Sequence, residues 1–234
     1  IRHVSKGHNV LNINNVDAFV HNEWNINTKS DDIVTLSLGL RANYWGYNNE
    51  INVSPRAGIA YKPSWSDDML FRLSGGVYVQ PPFYRELRKF DGSLVGPDDA
   101  STQKSYQVVF THEYNFKAWD RPFVLTSEVY YKYLKGIIPY EVDNVWIKYF
   151  ADQKATGYAA GMDMRINGEF VKGIESWASL SIMKSEENIK YYLSPTGTIL
   201  SQNDVNNGAE YVCDTIIKGI PRPSDQRLNF SLFF

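Results

Sequence analysis

In the segment Met69–Gln80, MLFRLSGGVYVQ, the residues Met69, Phe71, Leu73, Gly75, Val77 and Val79 fall at one parity. Leu70, Arg72, Ser74, Gly76, Tyr78 and Gln80 fall at the other. Strand side chains alternate between faces with a period of two, so the segment reads as a strand with one uncharged face and one polar face. The pattern recurs: Val34, Leu36, Leu38, Leu40, Ala42 and Tyr44 oppose Thr35, Ser37, Gly39, Arg41, Asn43 and Trp45. Such a chain folds as antiparallel sheet, and what must be found is whether the apolar face meets a protein core or a lipid bilayer.

Further segments follow the same rule. Ile51, Val53, Ala57, Ile59 and Tyr61 alternate with polar partners, and Pro55 on their apolar face predicts a bulge or a weakened ladder. Ser105–Phe116, Phe123–Tyr133, Tyr158–Asn167, Ser176–Ile182 and Arg227–Phe234 complete the series, and Val16–Ile26 is a less regular strand at its start. This gives about nine strands of about 9–13 residues, longer than the ~5–6 typical of globular sheets and matched to the ~9–11 of a tilted membrane-spanning strand. Within the connection Pro81–Thr102, the stretch FYRELRKF predicts two helical turns. No second domain boundary and no near-identical repeat is visible.

Three features favour lipid. With the strands read up and down in order, NTKSDD, KPSWSDD, AWDRP and VKG fall at one end, while the long connections beginning near Pro81, Lys135 and Lys184 fall at the other. Outer-membrane barrels have short turns on one side and long loops on the other. Arg41, Arg56, Lys62, Arg72, Glu113, Glu128, Lys132, Asp163 and Arg165 all take the polar parity, and a charge on the lipid side at mid-bilayer costs about 2–4 kcal/mol. Finally, Tyr44, Trp45, Tyr61, Trp65, Tyr114, Phe116, Trp119, Phe123, Tyr131, Tyr133, Tyr158 and Trp177 gather near strand ends, as interfacial girdles would, although aromatics are also good strand residues anywhere. The expected fold is all-β: a transmembrane antiparallel β-barrel segment spanning residues 1–234.

A formal charge of −2 gives no nucleic-acid footprint. A single cysteine, Cys213, excludes an internal disulfide framework. No run of 18 apolar residues predicts a transmembrane helix, which leaves strand crossing open. The chain begins Ile-Arg-His, as a processed outer-membrane protein or a fragment of a longer chain would.

Catalytic motifs are missing from the sequence: there is no HExxH, no GxSxG and no Gly-rich phosphate loop. His3, His8, His21 and His112 are scattered, and His112 sits at the apolar parity beside Tyr114, as an interfacial residue. The pairs Asp67-Asp68 and Asp98-Asp99 lack the alternating ligands of a calcium loop and read as solvated turns. No catalysis, metal or cofactor is expected. The long loops carry more: Phe83, Tyr84, Arg85 and Arg88 on the first, Tyr140, Trp146 and Tyr149 on the second, and Tyr191 and Tyr192 on the third are ligand-binding candidates. The same residues would equally serve to pack the loops together or to hold a partner lipoprotein. Arg72, Glu113, Glu128, Lys132, Asp163 and Arg165 would line a lumen.

The phrases SPRAGIAYKPS, FRLSGGVYVQPPFYRELR, VLTSEVYYKYLKGIIPYEVDNV, GYAAGMDMRINGEFV and PRPSDQRLNFSLFF together resemble the later barrel of TonB-dependent outer-membrane receptors of the Bacteroidota type. The resemblance implies a 22-stranded barrel around an N-terminal plug, energised through a TonB box. It implies uptake of a scarce ligand such as a siderophore, cobalamin, glycan or peptide. Outer-membrane lipid, the plug and the TonB energising complex would be partners, and nine strands would be a piece of such a barrel. A scaffold that docks other proteins without transport, and a soluble β-sandwich lectin or adhesin, are the alternatives.

Overall fold

The alternating segments pair in chain order. The computed structural model describes residues 10–27, 32–66, 68–89, 92–144, 146–196, 199–200 and 208–234, so His3, His8 and Asp67 lie outside the described residues. The strands are β1 (Asn15–Asn27), β2 (Ile33–Trp45), β3 (Glu50–Lys62), β4 (Met69–Gln80), β5 (Gln103–Ala118), β6 (Arg121–Ile137), β7 (Tyr140–Asp143) and β8 (Trp146–Tyr149). They continue with β9 (Ala155–Val171), β10 (Ile174–Leu193), β11 (Ile199–Leu200), β12 (Cys213–Pro221) and β13 (Asn229–Phe233). Eleven form one sheet, β1-β2-β3-β4-β5-β6-β9-β10 with β11, β12 and β13 all on β10, and β7-β8 is a separate hairpin. Every ladder is antiparallel. Among the described residues there is no helix, and β1 pairs only with β2.

Register turns nine separate alternations into two continuous faces. One row of directly paired residues runs Trp24, Leu36, Ile59, Leu73, Phe110, Val129, Met162, Ile182. The row beside it, one residue along each strand, runs Asn25, Thr35, Ala60, Arg72, Thr111, Glu128, Asp163, Ser181, Asn229. Because opposed residues in a ladder share a face, a slip of one residue in any ladder would have mixed the two sets. Across these two rows no ladder slips; the one-residue shifts of the sheet lie toward ladder ends, at Lys135/Ile137, Ile174/Ser176 and Glu187/Ile189.

The short connections gather at one end and the long ones at the other. Trp119 and Asp120, with φ of 52° and 59°, make the two-residue β5–β6 turn, and Gly173, with φ of 79°, completes the β9–β10 turn. Both positive φ values at Trp119 and Asp120 match the twist of the flanking strands. At the opposite end lie the Gly46–Asn49 turn and the three long connections. The β3–β4 ladder stops at Arg56↔Gly76, directly beside Pro55, so the weakened pairing read from the sequence is present.

Two sequence expectations need correction. Within FYRELRKF, whose Phe90 lies outside the described residues, there is a single turn, in which Glu86 N and Leu87 N both reach the Phe83 carbonyl at 2.9 and 3.3 Å. It goes no further because the Leu87 carbonyl accepts from Val95 N at 2.8 Å and Arg88 bridges Leu94, so the loop folds back on itself. The third long connection is shorter than Lys184–Gln226, since β10 runs on to Leu193 and β12 returns along it. There Lys184, Glu186, Asn188 and Lys190 occupy one face and Ser185 and Glu187 begin the other, so hydrophobic alternation gives no strand signal.

β12 and β13 together fill the ninth strand position, interrupted by PRPSDQR. Pro221 and Pro223 lack donors, and the gap is bridged instead by Arg222 N to Ser185 O at 3.1 Å and by Ser185 N to Asp225 Oδ1 at 2.6 Å.

Candidate functional site

The burial that the sheet lacks is concentrated at its loop end. Trp45, Leu87, Val95, Ala100 and Ala151 form a buried cluster, with Leu11, Ile13, Tyr47 and Leu94 packed against it. It joins the β2 tip to the first and second long connections. Polar groups hold the same junction: Glu50 accepts from Thr102 N at 3.0 Å and Thr102 Oγ1 at 2.7 Å, Asn48 donates to the Ala100 carbonyl at 2.9 Å, and the Tyr47 hydroxyl donates to the Val95 carbonyl. Trp45 therefore does not belong to a girdle; its parity places it on the polar face, where the loops cover it. Trp177 likewise sits on the polar face, with the Arg165 guanidinium 4.8 Å from its ring centre.

The first-loop candidates divide. Phe83 and Tyr84 are 64% and 42% exposed and Arg85 is exposed, while Arg88 is half-buried at its bridge to Leu94. In the second connection the Tyr140 and Tyr149 rings meet at a tilt across the β7–β8 hairpin with centres 5.7 Å apart, and Lys148 pairs with Glu141 at 3.1 Å. Trp146 pairs through its backbone with Asp143, and its side chain lies outside the described residues, as does that of Cys213. On β10, Tyr191 is half-buried and Tyr192 is buried, edge-on to Tyr211 at 4.9 Å and beneath Lys190 at 4.8 Å.

Gln103 ties the first two loops together, donating to Glu86 Oε2 at 2.9 Å and accepting from Ile138 N at 3.4 Å. Burial raises the Glu86 carboxyl above its ordinary range, opposed by the bonds from Phe83 N and Gln103 and by the charge of Arg222. The second and third connections meet where the Arg222 guanidinium lies 5.8 Å from the Tyr140 ring centre. A cavity of about 560 Å³ opens beside it, lined by Pro139, Tyr140, Glu141, Val142, Phe150, Glu187, Ile189, Ile220, Pro221 and Pro223. Of the candidates read from sequence it gathers only Tyr140. Glu187 and Arg222 were missed. The sequence hints were PRP and the adjacent Glu186-Glu187 pair, but only the β10–β12 ladder brings them together.

The six lumen candidates all take the polar face. Arg72, Glu128 and Asp163 share one row, Glu113 and Arg165 the next, and Lys132 lies on the row of Gln107 and Ala159. None of the six makes an ion pair among the described residues, and Glu128 stands directly opposite Asp163. Among the described residues, no three His, Cys, Asp or Glu side chains are placed to hold a metal ion.

No family model matches the chain, and no curated protein or solved structure matches it either.

Proposed function

We propose that this chain is a β-barrel segment of a TonB-dependent outer-membrane transporter. It would take up a scarce ligand that its loop end binds. The observation that carries the reading is the uncovered apolar face: in the row from Trp24 to Ile182, all but Leu36 are 40–51% exposed. A row of half-exposed Leu, Ile, Val, Phe and Met crossing eight strands needs an apolar medium, and lipid supplies one on a single side.

The edges of this face support the same reading. Toward the loops, Tyr106 and Tyr133 pair at 6.2 Å, as do Tyr131 and Tyr158. Beyond them come Lys104 and Lys135, and on β10 the Lys184–Glu186 pair stands level with Tyr131 and Tyr158. Toward the turns, Tyr114, Phe116, Phe123, Phe170 and Phe234 form a chain of ring contacts across β5, β6, β9 and the end of β13. Tyr106 and Phe116 are ten residues apart on β5. At about 3.3 Å per residue and a tilt of about 45°, that separation is a height of ~23 Å, against the ~25 Å apolar band of such barrels.

In this mechanism the loops capture ligand, and Arg72, Glu113, Glu128, Lys132, Asp163 and Arg165 contact the plug or line the path. A TonB-driven plug rearrangement then releases the ligand inward. The unpaired charges on the polar face suit a surface that meets water or a polar partner. The test is membrane fractionation of the parent protein, with uptake measured after its energising complex is disabled. Urea-resistant membrane association and energy-dependent uptake are expected. A water-soluble, folded monomer would overturn the reading.

A further inference from the structure

We infer that Lys104 and Lys135, at the loop-side edge of the apolar face, together hold the phosphate monoester of a lipid. The inference rests on the outer-membrane reading for the presence of lipid on this face and adds a specific headgroup to it. Lys104 on β5 and Lys135 on β6 are directly opposed, at the parity that continues Val108 and Tyr106 on one strand and Tyr131 and Tyr133 on the other. In the described ladders this is the one position where two cations face each other. Like charges directly opposite destabilise a sheet. Opposed residues also share a face, with Cβ atoms about 4.5–5.5 Å apart, so one anion can reach both ammonium groups.

The protein does little to neutralise the pair. Lys135 is exposed and makes no ion pair among the described residues. Lys104 stands 3.7 Å from Glu50 Oε1, but that carboxylate already accepts from Thr102 N, Thr102 Oγ1 and Asn48 Nδ2. On β10 the charges balance: Lys184 pairs with Glu186 at 2.7 Å, and the Tyr158 hydroxyl donates to the same carboxylate at 2.8 Å. The excess of positive charge is therefore local to β5 and β6.

Position selects a lipid. The lysines lie two residues beyond Tyr106 and Tyr133. At about 3.3 Å per residue and a tilt of about 45°, that is ~5 Å above the aromatic edge, within the headgroup layer that takes a bilayer from ~30 Å of hydrocarbon to ~40–45 Å in all. Beneath them Tyr106, Tyr133, Tyr131 and Val108 are 41–55% exposed and offer apolar surface to acyl chains. Chemistry selects the headgroup. A phosphate monoester brings a charge of about −1.5 to −2 and three acceptor oxygens to two ammonium groups, whereas a carboxylate brings one charge and a choline headgroup brings its own cation. At the turn end of the same face Arg121 is spent on the Glu169 and Phe170 carbonyls at 3.1 and 3.0 Å, so the arrangement serves the loop-side leaflet.

The test is native mass spectrometry of the purified full chain in detergent, titrated with dioleoylphosphatidic acid. Dioleoylphosphatidylcholine and inorganic phosphate are the controls. The phosphatidic acid should bind at least tenfold more tightly than either. Lys135→Ala should weaken it about fivefold, and Lys104→Ala combined with Lys135→Ala at least tenfold. Lys135→Arg, which keeps the charge, and Lys117→Ala, on the polar face at the turn end, should stay within twofold. Equal binding of phosphatidylcholine, equal binding of inorganic phosphate, or binding unchanged in the double variant overturns the inference. Fractionation of the same preparation separates the two readings. A membrane-inserted chain with no preference for phosphatidic acid loses only this site, and a water-soluble chain that binds it through these lysines loses only the transporter.

Discussion

The middle of the sheet and its loop end solve the problem of apolar surface in opposite ways. Around Leu73 the large side chains stand half-exposed, all on one face, and no other part of the described chain covers them. At the loop end the burial is on the other face, where Trp45, Leu87 and Val95 are at most 2% exposed beneath folded connections. The first region depends on its surroundings. The second carries its own core, in which residues of the connections close over Trp45 on the polar side of β2.

Substitutions can break that contrast, and the largest effect is expected in the self-made core. Trp45→Ala should cost about 3–5 kcal/mol of loop-end stability, read as lost amide protection over residues 81–102. Loss of protection in the sheet centre as well would mean that the two regions are not separable. Next, Leu73→Lys should cost about 2–4 kcal/mol of folding into bilayers, while Ser74→Lys, one residue away on the polar face, should cost little. Equal losses in lipid-vesicle refolding would count against lipid on the apolar side.

A smaller effect is expected where the apolar face comes closest to packing itself. A Cβ at Gly168 would meet Phe123 Cδ1 at 2.4 Å, and Phe123 is 2% exposed between Trp119 and Phe170. Gly168→Val should therefore displace that ring and cost about 1–3 kcal/mol, visible as a lowered urea midpoint. The gentlest probe is pH. Because burial holds the Glu86 carboxyl above its ordinary range, the folded loop binds its proton more tightly than the unfolded chain does. Protection of residues 81–102 should be greatest below the ordinary carboxylate range and fall as pH rises through the raised value, and Glu86→Gln should flatten the profile.

Much of the sheet could be read directly. Met69–Gln80 is a strand with the bounds its alternation gives, the Pro55 irregularity is where the ladder stops, and the long and short connections segregate as their lengths suggest. Strand ends beyond the apolar band could not be read, because from Lys184 to Asn188 both faces of β10 turn polar and the apolar parity then switches to Ile189, Tyr191 and Leu193. The candidate site was less legible still. Tyr140 belongs to it, but Phe83, Tyr84 and Arg85 do not line the cavity, and Glu187 and Arg222 stand 35 positions apart in a stretch read as loop.

Side-chain parity is a local property of the covalent chain, so the sequence by itself determined that there are strands, which residues share a face on each, and that one face excludes charge between its aromatic edges. Which strand pairs with which, and in what register, was decided by the tertiary structure, since only register lines Trp24 up with Ile182 across eight strands. The same holds for Glu187 and Arg222. Their approach depends on β12 folding back along β10 and on two prolines that interrupt the ladder there, which is a matter of long-range pairing that no local pattern records.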